Sequence, residues 1–177
     1  MPRHLMPVGE SKRKESFAVY IRNFIFGVED SLVSTVGLLS GVAVAGMSRE
    51  NIFMAGTVLI SVEAFSMAVG SYLSEHSAEE YMNGSSTGVR QPLLAGVIMF
   101  FSYFLAGLLP LAPYAFLEPG AALRLSIGIS LASLFVLGAV GAKVFRISIL
   151  RHGLEMLIIG GVAIAVGVLV GNLAGRF

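Results

Sequence analysis

The sequence predicts an all-α, polytopic integral membrane protein with five transmembrane helices, and three observations carry that prediction. Charged residues are 13% of the 177 and hydrophobic ones 55%, where an ordinary soluble domain holds about 25% charged. Mean hydropathy is +0.82. Five separate apolar runs reach the roughly 20 residues that a helix needs to cross a bilayer. There is no cysteine, which excludes disulfides and thiolate metal sites. A net charge of +1 gives no electrostatic case for a nucleic-acid partner.

Residues 1–23 read as a cytoplasmic tail. The opening MPRHLMPVGESKRKES is polar and basic, lacks the apolar core of a signal peptide, and reads as a disordered or surface-lying segment. The first span covers 24–46, interrupted by Glu29-Asp30, and the second covers 51–74, interrupted by Glu63. An acidic loop, 75–91, follows, and MNGSSTG within it breaks any continuing helix through its Gly and Ser content. The third span covers 92–117, where Pro110 and Pro113 should kink or end it. The fourth and fifth cover 120–142 and 153–174. Short connections elsewhere make 24–177 one five-helix domain.

Basic residues orient the bundle. With the N-terminus inside, the cytoplasmic segments hold nine, Arg3, Lys12, Arg13, Lys14, Arg22, Arg90, Lys143, Arg146 and Arg151, against three outside, Arg49, Arg124 and Arg176. That is a positive-inside bias, and five spans then leave the C-terminus outside. Gly37 and Gly41 in the first span, and Gly167, Gly171 and Gly175 in the fifth, have the spacing that lets helix backbones approach closely in lipid.

The candidate site comes from charges that lipid disfavours. An ionisable group inside a span must be paired, hydrated or neutralised, and Glu29, Asp30 and Glu63 are such groups. Asp30 lies about 9 Å in from the start of the first span and Met67 about 10 Å in from the end of the antiparallel second, at helical rise. The two therefore share a level. Glu63 is one turn deeper on Met67's face, since i and i+4 superpose. Ser34 and Thr35 follow Asp30 by a turn and could add oxygens. Carboxylates suit hard or borderline divalent cations, and a thioether tilts the set towards softer first-row metals.

Other readings compete at each position. Met67 alone could be packing, Glu29 could face headgroups or cap the helix start, and Glu63 could be a neutral, hydrogen-bonded acid or a proton carrier. At the end of the second span, YLSEHSAEEYM pairs Glu75 with Glu79 and His76 with Glu80 at i,i+4. This is either a cation-collecting vestibule or a solvated helix end. Glu155 pairs with Arg151 at i−4.

FGVEDSLVSTVGLLSGVAVAG followed by EAFSMAVGSYLSEHSAEEY resembles the vacuolar iron transporter family, which includes nodulin-21-like proteins; LLPLAPY and RHGLEMLIIGGVAIAVG look like its later signatures. The resemblance runs from about Tyr20 to Gly175. It implies a homodimer that exports Fe²⁺ or Mn²⁺ from the cytosol in exchange for protons, along a path lined by the first two helices. It matches Asp30 to the family's intramembrane aspartate and Met67 to its metal-binding methionine. The metal is transported substrate; no prosthetic group is implied. The chain departs from the family at Ser31, usually Gly, and at Asn23 and Leu59, where iron-transporting members are acidic. It also lacks their long glutamate-rich domain between the second and third helices.

The full expectation is a divalent transition-metal exporter, not an enzyme, in a prokaryotic plasma membrane, or a vacuolar membrane if the source is eukaryotic. Metal enters near Glu75, His76, Glu79 and Glu80 and binds at Asp30, Met67 and Glu63, with Glu29 beside them. Two alternatives stand against it. One is a non-transporting metal sensor or scaffold of the same fold. The other, less favoured, is a membrane enzyme using Glu63 and His76, which sit several helical turns apart with no nucleophile or phosphate loop nearby.

Overall fold

A computed structural model describes residues 8–83, 88–145 and 147–176. It contains five helices, α1 (Val8–Val44), α2 (Arg49–Asn83), α3 (Arg90–Phe116), α4 (Pro119–Phe145) and α5 (Ile149–Ala174). All five are long and apolar enough to cross a membrane, and the described residues contain no strand. Rows of exposed Phe, Leu, Val and Ile, such as Phe65 on α2, Phe101 on α3 and Leu169 on α5, are the surface of a protein whose solvent is lipid. The chain is an integral membrane protein.

Two helices are longer than the sequence reading made them. α1 starts at Val8, so the tail expected over 1–23 is helical from that residue on. Its Lys, Arg, Glu and Ala residues are good helix formers, and no Pro interrupts them after residue 7. α2 runs to Asn83, so the first nine residues of the expected loop 75–91 are helix. Glu75 to Asn83 contains neither Gly nor Pro, and His76 and Glu80 face each other at i,i+4 with 3.8 Å between Nε2 and Oε1. Most of the expected MNGSSTG break, together with Arg3 and Arg146, lies outside the described residues. Pro110 and Pro113 both lie inside α3, which ends three residues after the second. Ser126 of α4 donates to the carbonyl of Pro110 at 2.7 Å.

The α1–α2 turn follows directly from its residues. Gly46 takes φ +82°, which costs glycine nothing. The amide of Gly46 bonds the carbonyl of Ala43 at 3.1 Å and that of Met47 bonds Val42 at 3.2 Å, the paired closure of a Schellman helix end. Ser48 then opens α2, its hydroxyl accepting from the amide of Asn51 at 3.4 Å, as an N-cap does. This sharp reversal lays α1 and α2 antiparallel.

α1 is the central helix. α3 packs broadly against both α1 and α2, which meet each other only sparingly. α5 lies on another face of α1, where the glycines act as the sequence suggested. A Cβ added at Gly41 would sit 2.7 Å from the carbonyl oxygen of Gly167, and one at Gly171 would run into the carbonyl of Gly41. The backbones touch, so this is packing within one chain. Two apolar clusters close the interior: Leu39, Ile52, Ile60, Leu111, Tyr114 and Ala122 towards the α1–α2 turn, and Leu32, Ala106, Leu134 and Met156 nearer the middle.

Candidate metal site between α1 and α2

Polar side chains cross the α1–α2 seam in layers. At the end remote from the turn, Arg22 donates to Glu75 in a short ion pair. Just inside it, Ser71 donates to the amide oxygen of Asn23 at 2.6 Å, and the Asn23 nitrogen donates to the Val19 carbonyl at 2.9 Å. Deeper still, Ser34 donates to Oε2 of Glu63 at 3.2 Å. Arg22 to Ser34 is twelve residues along α1, and Glu75 to Glu63 is twelve along α2. The two helices thus stay in step. Asp30 is eight residues from Arg22 and Met67 eight from Glu75, so the register puts them at one level, about 12 Å inside the ion pair.

Asp30, Glu63, Met67 and Glu29 are all partly buried. Glu29 and Asp30 are adjacent on α1, and Ser34, one turn beyond Asp30, bonds Glu63 across the seam. A carboxylate at mid-bilayer costs about 3 kcal/mol on insertion scales, and two of like sign raise that cost. Protonation or a bound cation would each offset it. Among the described residues, no three His, Cys, Asp or Glu side chains converge as a metal cage.

Glu63 is the best-connected of these groups. Besides Ser34 it receives the hydroxyl of Tyr103, from α3, in a short bond to the same oxygen, and the Ser34 and Tyr103 hydroxyls are 2.7 Å apart. Tyr103 is fully buried. The Ser31 hydroxyl donates to its backbone carbonyl at 2.6 Å, which gives a structural role to one departure from the family pattern. Tyr103 was absent from the sequence reading. A tyrosine amid Phe, Leu and Ala in FFSYFLAG was the available signal, since a buried phenol needs a partner. Thr35, fully buried, takes no part; its hydroxyl has no partner among the described residues.

From Glu63 towards the α1–α2 turn runs a groove of about 660 Å³ between α1, α2 and α5, lined by Ser34, Gly41, Leu59, Val166 and Val170 among others. Leu59 makes this section apolar. At the opposite end, Glu75 is nearly buried and already engaged by Arg22, a pairing the sequence reading did not foresee. Glu80 is exposed, and His76 packs against Tyr72 with ring centroids 5.8 Å apart and the planes tilted by 39°. Glu79 is partly buried on the same helical extension. None of these four reaches the Asp30–Glu63 level. Arg151 holds Glu155 at 3.1 Å as predicted, with His152 adding a second contact at 3.2 Å.

Five membrane-crossing helices with a hydrogen-bonded carboxylate, Glu63, inside the bundle define a polytopic membrane protein with an intramembrane polar site. The sequence model of the VIT family matches residues 21–88 and 82–172, and the chain belongs to that family. It is 27% identical to vacuolar iron transporter homolog 1 of Oryza sativa subsp. japonica, over 84% of this chain and 71% of the rice protein. Identity to vacuolar iron transporter homolog 4 of Arabidopsis thaliana is 24%, over 84% and 81% of the two chains. An uncharacterized protein of Methanocaldococcus jannaschii is 24% identical over 94% of each.

Proposed function

We propose that this protein moves divalent transition metal, Fe²⁺ or Mn²⁺, across its membrane, outward from the cytosol. Its N-terminus is cytoplasmic and its C-terminus outside. The observation that carries the reading is the common level of Asp30 and Met67 in the α1–α2 seam, with Glu63 one turn deeper. Two carboxylates and a thioether form a donor set that fits borderline first-row cations better than Mg²⁺ or Ca²⁺. The names of the rice and Arabidopsis relatives, vacuolar iron transporter homologs, agree with that choice of cargo. Chemistry on a covalent substrate is not part of the reading; the protein is a transporter and not an enzyme.

The family resemblance implies a homodimer, and the sparse α1–α2 contact leaves that seam open to ligands from a second copy. Metal arrives past Glu79, Glu80 and His76. Glu75 joins the route only when Arg22 releases it. Protons returning through Asp30 or Glu63 replace the departing cation, because a mid-membrane carboxylate that loses its metal is cheaper neutral than charged.

The test is uptake of Fe²⁺ and Mn²⁺, beside Mg²⁺ and Ca²⁺, into proteoliposomes of the purified protein. The parent should admit the transition metals, and Asp30→Ala should abolish uptake while retaining the parent's melting temperature. A second reading has its own observation: Asn23 is locked in neutral hydrogen bonds and Leu59 is apolar, where iron-transporting members are acidic. On that reading the protein is a non-transporting metal sensor. Equilibrium binding of metal with no uptake would select it.

A further inference from the structure

We infer that Tyr103 is a positioning residue that restricts Glu63 to a single metal-facing oxygen and so sets selectivity against Ca²⁺. The inference rests on the proposed metal site. It concerns a residue on α3 that contributes no metal ligand.

The geometry is specific. Two hydroxyls, Tyr103 Oη and Ser34 Oγ, converge on Oε2 of Glu63 and also contact each other at 2.7 Å. Among the described residues no hydrogen bond reaches Oε1. Glu63 and Ser34 line the groove; Tyr103 does not, and it is fully buried. The carboxylate is therefore tethered from the protein interior by one oxygen.

The tether is itself fixed from two sides. The Ser31 hydroxyl holds the Tyr103 carbonyl at 2.6 Å. One turn along α3, a Cβ at Gly107 would lie 2.7 Å from that same Ser31 hydroxyl. α1 and α3 are thus in close contact beside the tyrosine, and its ring has little room to move. Glu63 cannot rotate both oxygens towards a cation without breaking both hydroxyl contacts.

A carboxylate with one oxygen occupied offers one ligand, not two. Ca²⁺ takes six to eight oxygens and gains most from bidentate carboxylates. Six-coordinate first-row metals lose less when a carboxylate is held monodentate. Groups behind a ligand that fix its orientation commonly change metal affinity by about 10-fold or more when removed.

The test is equilibrium binding of Mn²⁺ and of Ca²⁺ to the purified full chain in detergent, for the parent, Tyr103→Phe and Ser34→Ala. The splitting between the antisymmetric and symmetric carboxylate stretches is read by infrared difference on cation addition. Tyr103→Phe should weaken Mn²⁺ binding by about tenfold, narrow the Mn²⁺ over Ca²⁺ preference, and shift the splitting towards the bidentate pattern. Ser34→Ala, which keeps the tyrosine's bond to Glu63 and removes the serine hydroxyl beside it, should move the preference the same way by less. It serves as the measurement if Tyr103→Phe does not fold. Proportional losses for both cations with an unchanged splitting would reduce Tyr103 to a packing residue and overturn the inference. So would parent affinities in both variants. A parent that binds neither cation overturns the metal site itself, and this inference falls with it.

Discussion

α1 presents two seams, and they are built by opposite means. Against α5 it offers Gly37 and Gly41, and the facing Gly167 and Gly171 bring the two backbones into contact with no polar side chain between them. Against α2 it offers Arg22, Asn23 and Ser34, which meet Glu75, Ser71 and Glu63 through side chains while the helices stay comparatively apart. The first seam has one arrangement, because carbonyls and Cα atoms cannot repack. The second is held by hydrogen bonds and charge between side chains. A membrane helix can thus be joined through backbone on one face and through side chains on the other, and here the division follows the residues: small on one side, polar on the other.

The largest effect should come from filling the rigid seam. In Gly171→Leu the new side chain has only the Gly41 carbonyl to occupy, and overpacking of this kind costs about 3 kcal/mol. Melting in detergent should fall by roughly 6–12 °C at the usual conversion for chains of this size. A variant with the parent's melting temperature would mean that the α1–α5 contact is looser than described. In the polar seam, Met67→Ala should leave stability close to the parent's, because Met67 is only partly buried, and should weaken Fe²⁺ transport more than Mn²⁺ transport. Equal losses for the two metals would remove the thioether from the site. The smallest effect belongs to a polar pair outside both seams. Arg151→Ala breaks an exposed ion pair with Glu155, and exposed pairs contribute little. Uptake and melting temperature should both match the parent, and a clear loss of uptake would extend the functional surface to α5.

These contrasts track what the sequence made legible. The glycine spacings were legible as places where backbones can come close, but which helices they join was set only by the fold. Five spans were legible because lipid imposes length and apolarity on every helix. The start of α1 was not, because a helix that leaves the bilayer loses its hydrophobic signal while its propensity continues through Lys, Glu and Ala; the extension of α2 was legible only in the i,i+4 pairing of His76 with Glu80. Asp30, Glu63 and Met67 stood out as residues that lipid disfavours or as a soft ligand beside one. Their partners on other helices did not. Tyr103 is forty residues from Glu63, and Arg22 is fifty-three from Glu75. Nothing in either local pattern encodes the pairing; it arises only when the α1–α2 turn sets the register and α3 packs against both helices.

The central claim is that the carboxylates at mid-depth on α1 and α2 hold the metal, and that those on the helical extension of α2 do not. It is tested most directly by Mn²⁺ binding to the purified protein, comparing Asp30→Asn/Glu63→Gln with Glu79→Gln/Glu80→Gln. The first pair should lose high-affinity binding by about 100-fold, as expected for removing charged ligands from a buried site, while the second retains the parent's affinity. Binding that survives the first pair and fails in the second would contradict the account and move the site to the end of α2.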